Sequence, residues 1–411
     1  MREEKLRYFS CGLLVMSLYV ATVISSPSFG QKKYDLGAND SEIKIGNIMP
    51  YSGPLSAYSS IAKAEAAYFN KVNAEGGVNG RTINFISVDD GYSPPKTVEQ
   101  ARKLVESDEV LFIFQSLGTP TSLSIEKYLN DRKVPQLFVA SGATRFGDPK
   151  SFPWTMGWNP TYQSEGRIFA HFLLQNYPNA KIGVLYQNDD SGKDYLKGFK
   201  DGLNGRGQIV AEVPYEVSEP TVDSQIVTIK NHGADALFIE AAPKFAAQAI
   251  RRVAELNWKP VEMLASVSNS VGAVLKPAGF ENAKGILSAG YLKDPTDPRW
   301  KDDPAVKNWE AFMLKYYPDG DRTSAFPVYG YVVSQTLVQV LKQCGDELTR
   351  ENIMRQAANL RDLELDMLLP GIKINTSPTD YYPIEQMQMT RFNGEYTELF
   401  GAMMSGAISE N

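Results

Sequence analysis

The sequence predicts an α/β fold of two lobes, each built on a doubly wound parallel sheet and joined to the other by a hinge. Short apolar runs alternate with amphipathic stretches, an order typical of parallel sheets with helices on both faces. The alternation runs through residues 42–139 and starts again near Ile182. At 411 residues the chain is also too long for one ordinary core.

Hydrophobic periodicity places the elements of both series. Ile61, Ala64, Tyr68 and Val72 recur at the three- and four-residue spacing of one helical face. The predicted strands are 43–48, 83–88, 110–114, 137–139, 182–186, 209–213, 236–239 and 261–264. The predicted helices are 61–72, 96–106, 195–203, 246–256 and 329–341, with a helix and then strands after 348. Parallel sheets bind ligands at the carboxyl ends of their strands, so the two lobes are expected to share one cleft.

The charge balance bears on the class of partner. The chain has 42 Lys and Arg against 48 Asp and Glu, a net charge of -6, and it has no long basic run. Binding to nucleic acid requires clustered cations to neutralise phosphates, so no nucleic-acid partner is expected.

The first 30 residues predict a signal peptide. Arg2, Lys5 and Arg7 precede an apolar run at 11–24, and Ser28-Phe29-Gly30 fits the small-x-small pattern of a cleavage site before Gln31. A membrane anchor is the alternative, but the run is about 14 residues against the ~20 that a span requires. We therefore expect export to the periplasm with cleavage near Gly30.

Motifs for catalysis and metal binding are missing. The two histidines, His171 and His232, have no Cys or His partner at metal-ligand spacing. The chain has no G-x-S-x-G, Walker A or G-x-G-x-x-G sequence. The carboxylate pairs Asp89-Asp90 and Asp189-Asp190 follow predicted strands, where a loop-structuring role is favoured over acid–base chemistry. We expect a protein that is not an enzyme and that holds no metal or cofactor.

Several stretches resemble the leucine/isoleucine/valine-binding protein family, the type I periplasmic binding proteins. They are Ile45-Gly46, Ser52-Gly53-Pro54, 73–80, 88–90 with 96–105, Ser116-Leu-Gly-Thr119 and Ser141-Gly-Ala-Thr144. The resemblance covers about residues 42 to 400 and implies two lobes with three crossovers. The implied boundaries are 42–160 with 291–360 for the first lobe, and 161–290 with 361–411 for the second.

The resemblance also implies a ligand site. In this family, Ser and Thr side chains of the two turns at 116–119 and 141–144 hold the ligand carboxylate, together with backbone N–H groups. The first turn precedes a helix that begins near Pro120, and the free N–H groups of a helix start bind anions. A purely helix-capping role for Ser116 or Thr119 is the alternative.

This chain departs from the family where amino-acid binders hold the ligand ammonium. The matching stretch, 264–268, carries Val267 or a serine in place of the Glu, although Glu240 could substitute. The expected tyrosine aligns with Ser191, whereas an expected aromatic is kept as Tyr58. The predicted ligand-binding residues are Tyr58, Ser116, Thr119, Ser141, Gly142, Thr144, Ser191, Glu240, Val267 and Tyr329.

Together these observations predict the solute-binding component of an ABC importer. A monomer is expected, which binds a small carboxylate with an aromatic or other apolar body and delivers it to a membrane permease. An unpaired ammonium in a dry cleft costs several kcal/mol, which disfavours an amino acid as the ligand. The alternatives are a branched-chain amino-acid binding protein and a ligand-sensing receptor domain of the same fold.

Overall fold

The structure is a computed structural model that describes Met1 and residues 32–406. Apart from Met1, the predicted signal peptide lies outside the described residues. Within 32–406, no helix has both the length and the apolar character needed to cross a membrane.

The strands and helices alternate along most of the described chain. The strands are β1 Lys33–Tyr34, β2 Glu42–Met49, β3 Thr82–Asp89, β4 Phe112–Phe114, β5 Gln136–Val139, β6 Thr155–Gly157, β7 Lys181–Gln187, β8 Gln208–Tyr215, β9 Ala236–Glu240, β10 Val261–Leu264, β11 Leu287–Gly290, β12 Glu347–Leu348, β13 Gln386–Phe392 and β14 Thr397–Ser405. The helices are α1 Ser59–Ala74, α2 Pro94–Arg102, α3 Thr119–Asp131, α4 Tyr162–Asn176, α5 Asp190–Leu203, α6 Asp223–Asn231, α7 Pro243–Glu255, α8 Lys276–Ala278, α9 Phe280–Ala283, α10 Pro304–Tyr316, α11 Ala325–Cys344 and α12 Arg350–Ala357.

The first lobe is built on a five-stranded parallel sheet of order β3-β2-β4-β5-β6. All residues of β4 and β5 are buried, as expected for central strands covered by helices on both faces. The strand predicted at 110–114 is shorter than expected: Val110 and Leu111 are buried but precede the regular ladder.

The second lobe is built on a seven-stranded sheet of order β14-β13-β11-β10-β9-β7-β8. Strands β7 to β11 are parallel, as predicted, whereas the C-terminal strands β13 and β14 add an antiparallel edge, so the sheet is mixed. An antiparallel pair can be joined by a tight turn, and Gly394, with a φ of 108°, allows such a turn between β13 and β14.

The chain passes between the two lobes three times within residues 32–406. It does so between β6 and α4, after β11, and again before β13. Between the last two passages, α11 packs on α1 of the first lobe, where a Cβ on Gly330 would lie 2.5 Å from the Ile61 carbonyl oxygen. The predicted two-lobed α/β class is confirmed, and the exact lobe boundaries stay a prediction.

Candidate functional site

A cavity of about 150 Å³ lies between the two lobes. Loops at the carboxyl ends of β2, β3, β4, β7, β9 and β10 reach its wall. Aromatic side chains from both lobes and from the crossovers form much of that wall. They are Tyr58, Tyr92, Tyr162, Tyr291, Trp300, Phe326 and Tyr329.

The first-lobe wall contains the start of α3. Gly118 has a φ of 95°, a conformation that few residues other than glycine adopt, and it turns the chain from β4 into the helix. The N–H of Thr119 donates to no described group, and Pro120 has no N–H. The hydroxyls of Thr119 and Ser141 lie 2.8 Å apart. These polar hydrogens suit an anion, because the N-terminus of a helix carries partial positive charge.

The second-lobe wall contains Glu240, the last residue of β9. Its side chain is 4% exposed, and the N–H of Gln187 donates to Oε2 at 2.8 Å. Burial raises the pKa of Glu240 to about 8, and the charge of Asp189 adds to this effect. No described Lys or Arg forms an ion pair with this carboxyl group.

A second buried carboxyl group, Glu165 of α4, lies behind the turn that follows β10. It accepts hydrogen bonds of 2.6 Å from both the N–H and the hydroxyl of Ser266, and one of 2.9 Å from the Tyr195 hydroxyl. Burial raises the pKa of Glu165 to about 7 against the lowering effect of these bonds. Glu165 thus fixes the turn that brings Val267 into the cavity wall.

Hydrogen bonds join the lobes across the cleft. The Tyr58 hydroxyl donates to the carbonyl oxygen of Val267 at 3.2 Å. Nε2 of Gln187 donates to the Tyr92 hydroxyl, also at 3.2 Å. These contacts place the two lobes against one another, so the structure describes a closed cleft.

Six of the ten predicted site residues lie in the cavity wall. They are Tyr58, Thr119, Ser191, Glu240, Val267 and Tyr329. The structure does not bring Ser116, Ser141, Gly142 or Thr144 into that wall.

The four predicted site residues outside the cavity wall contact other parts of the protein instead. Ser116 is buried at the end of β4, where its hydroxyl accepts hydrogen bonds from Ser122 at 3.0 Å and Gln136 at 3.1 Å. Thr144 donates through its N–H and its hydroxyl to Oδ2 of Asp194, at 2.8 and 2.9 Å. Ser141 reaches the site only through Thr119, and a Cβ on Gly142 would lie 2.6 Å from the Tyr162 ring.

The sequence reasoning missed Tyr92, Tyr162, Gln187 and Glu165. The position of Tyr92 could have indicated its role, because it lies two residues after Asp89-Asp90, at the carboxyl end of a predicted strand. Glu165 lies in the first turn of α4, and its contact with Ser266 joins residues 101 positions apart. No local pattern marks such a pair.

The two carboxylate pairs noted in the sequence stabilise the loops in which they lie. Asp89 accepts hydrogen bonds from Ser52, Tyr51 and Gly91, which lower its pKa although burial opposes the change. Asp189 caps α5 by accepting from the N–H groups of Ser191 and Gly192. Among residues 32–406, no group of His, Cys, Asp or Glu side chains is arranged to hold a metal ion.

Two α/β lobes closed over a small shared cavity define a binding protein that takes its ligand between the lobes. Residues 42–396 match the model of the periplasmic binding protein family, and the chain belongs to that family. The family consists of solute-binding proteins rather than enzymes. Its members are periplasmic and bind small molecules for ABC transporters.

Known proteins of this kind are similar in sequence and in fold. Leu/Ile/Val-binding protein homolog 1 of Brucella suis biovar 1 is 24% identical over 322 residues, which is 77% of this chain and 82% of that protein. A branched-chain amino-acid ABC transporter protein of Thermus thermophilus with bound valine has a TM-score of 0.81 at 15% identity, covering 90% of this chain and 97% of that one. A solute-binding protein of R. palustris in complex with benzoate has a TM-score of 0.75 at 18% identity, covering 90% and 98%.

Proposed function

We propose that this protein captures a small carboxylate with an aromatic or other apolar body and delivers it to the membrane permease of an ABC importer. The observation that carries the proposal is a cavity between the lobes whose wall is rich in aromatic rings and contains a helix N-terminus with an uncommitted N–H. The rings suit an apolar body, and the N–H suits a carboxylate.

The size of the cavity supports a compact ligand. An apolar cavity of about 150 Å³ holds a benzene molecule, so the cleft is the right size for one ring and a short polar group. The benzoate-bound protein of R. palustris is of the same fold and binds a molecule of this size. Tyr58 and Phe326, whose ring centroids lie 5.0 Å apart, form one apolar face for such a ring.

Titration calorimetry against two panels of ligands tests the proposal. We expect benzoate-type or short apolar acids to bind at micromolar or lower concentrations, because the closed cleft buries their apolar surface and supplies a donor for the carboxylate. The amides of the same acids, which have the same shape without the charge, serve as matched controls and should bind more weakly. Micromolar binding of leucine or valine, with no response to any acid lacking the amine, would contradict this assignment.

A branched-chain amino acid is the second candidate. It is favoured by Glu240, a buried carboxyl group without an ionic partner that lies in the cavity wall and could receive an ammonium. The same calorimetric comparison distinguishes this candidate from the first.

Export is part of the proposed function. The basic residues, apolar run and Ser28-Phe29-Gly30 of the N-terminus predict removal of residues 1–30. We expect N-terminal sequencing of protein from the periplasmic fraction to begin at or near Gln31. Full-length chain recovered from the cytoplasm alone would show that this segment does not direct export.

A further inference from the structure

Glu240 is unusual among the residues of the cavity wall because one oxygen of its carboxyl group has a hydrogen-bond partner and the other does not. Oε2 accepts from the N–H of Gln187 at 2.8 Å, whereas Oε1 has no hydrogen-bond partner among residues 32–406. The side chain is only 4% exposed, and it contributes to the wall of a closed cavity. A ligand group that reaches Oε1 therefore gains a hydrogen bond with a carboxyl group that bulk water barely reaches.

The surroundings of Glu240 hold its carboxyl group in place. Gly192, in the first turn of α5, has no side chain, and a Cβ there would lie 2.8 Å from Oε2. The adjacent Gln187 is fixed in turn, because its Oε1 accepts from the Tyr215 hydroxyl at 2.9 Å and its Nε2 donates to Tyr92. Oε1 is therefore fixed in position. The raised pKa of Glu240 keeps the carboxyl group protonated near neutral pH, and since Oε2 accepts from Gln187, the hydrogen lies on Oε1.

The side chains that flank Glu240 are already committed to partners. The Ser191 hydroxyl donates to Asp189, and the Tyr215 hydroxyl donates to Gln187 while it accepts from the N–H of Ala242. An ammonium group brings three N–H donors and no acceptor, so it cannot accept the hydrogen of a protonated Glu240. Its own N–H groups would also need acceptors in a site with little water, which is costly. A hydroxyl group has an acceptor oxygen that can take the hydrogen on Oε1.

The two ends of the cavity thus differ in chemistry. The start of α3 in the first lobe presents donors for an anion, and Glu240 in the second lobe presents a neutral carboxyl group. We propose that the ligand is a hydroxylated acid, whose carboxylate binds at Thr119 and whose hydroxyl oxygen accepts a hydrogen bond from Oε1 of Glu240. The inference rests on the proposed function, because it assumes a carboxylate ligand in this cleft. Glu240 is then the residue that makes the site prefer a hydroxylated acid over the same acid without the hydroxyl group and over an amino acid.

The experiment compares four probes by calorimetry: benzoate, 3-hydroxybenzoate, 4-hydroxybenzoate and 4-(aminomethyl)benzoate. We expect one hydroxybenzoate to bind the wild-type protein about tenfold more tightly than benzoate, since a hydrogen bond with a buried carboxyl group contributes roughly that factor. The ammonium of 4-(aminomethyl)benzoate should make it the weakest ligand.

Two substitutions at the same position separate hydrogen bonding from charge. In Glu240→Gln the amide oxygen accepts from Gln187 and the NH2 group stands at the position of Oε1, so a donor to the ligand hydroxyl is kept and the preference for the hydroxybenzoate should persist to within about threefold. Glu240→Leu removes the donor, so the preference should disappear while benzoate still binds. Glu262→Leu is the matched control: it removes a half-buried carboxyl group from the neighbouring strand β10, outside the cavity wall, and should leave every affinity unchanged.

The outcomes distinguish this inference from the proposed function. If benzoate binds and neither hydroxybenzoate binds more tightly, the inference is overturned and the proposed function stands. If 4-(aminomethyl)benzoate binds most tightly and Glu240→Gln abolishes its advantage, Glu240 is an ammonium site and the inference is overturned. If none of the four acids binds to the wild-type protein, the inference is overturned, and the proposed function is decided by the short apolar acids of the calorimetric panel. Circular dichroism of each variant identifies any loss of affinity that comes from misfolding.

Discussion

Thr119→Asp is expected to lower the affinity for a carboxylate ligand by a hundredfold or more while the protein stays folded. Asp at this position puts a negative charge at the start of α3, beside the N–H that we assign to the ligand carboxylate. Two like charges about 4 Å apart repel by about 4 kcal/mol at the effective dielectric of a protein surface, which exceeds a hundredfold in affinity. Calorimetry of the wild type and the variant with the same acid measures the change.

The fold is expected to tolerate this charge. A carboxylate in the first turn of a helix interacts favourably with the helix dipole, and the Ser141 hydroxyl lies close enough to donate to it. Thr119→Val is the matched neutral variant: it removes only the hydroxyl and should cost about tenfold. The uncharged amide of the same ligand should be far less sensitive to Thr119→Asp. An unchanged affinity for the acid in Thr119→Asp would show that the carboxylate binds elsewhere.

The fold was predictable because it follows from local periodicity. The strand predicted at 261–264 coincides with β10, and the alternation of strands and helices follows from apolar spacing that can be counted along the chain. The antiparallel edge formed by β13 and β14 was not predicted. The pairing of β13 with β11 depends on contacts between residues about 100 positions apart, such as Leu287 with Arg391, and β14 then pairs with β13.

The candidate site was predictable only where a strand end or a helix start marks it. Thr119 and Glu240 lie at such points, and both are in the cavity wall. Ser116 was an equally reasonable choice from the sequence, but its hydroxyl accepts hydrogen bonds from Ser122 and Gln136. The Thr144 hydroxyl likewise donates a hydrogen bond to Asp194, which lies 50 positions away in the sequence. Which of several hydroxyls faces a ligand depends on these tertiary partners, and the sequence does not show them.

The stability of the ligand-free protein is expected to fall as the pH rises from 5 to 8.5. Burial raises the pKa of Glu165 to about 7 and that of Glu240 to about 8, well above the ordinary value of 4.5. Between pH 4.5 and these values the folded protein keeps protons that the unfolded chain has released. The unfolded state therefore gains relative stability as the pH rises, and the free energy of unfolding decreases until about pH 8. Each unit of pKa shift corresponds to about 1.4 kcal/mol, so the melting temperature should drop by on the order of 5 °C across this range.

Differential scanning calorimetry at constant ionic strength measures this profile, and a double variant tests its cause. Glu165→Gln combined with Glu240→Gln replaces both carboxyl groups by neutral amides of the same shape, so the decline between pH 5 and 8.5 should become shallower. The part that remains is due to Glu65 and Glu262, whose pKa values burial also raises. Glu281→Gln, at an exposed position on α9, is the control and should leave the profile as it is in the wild type. Below about pH 4 a separate loss is expected, because hydrogen bonds lower the pKa of Asp89 against the effect of burial, and its protonation removes their contribution. A melting temperature that stays constant or rises from pH 5 to 8.5 would show that the two buried carboxyl groups ionise as readily in the folded protein as in the unfolded chain.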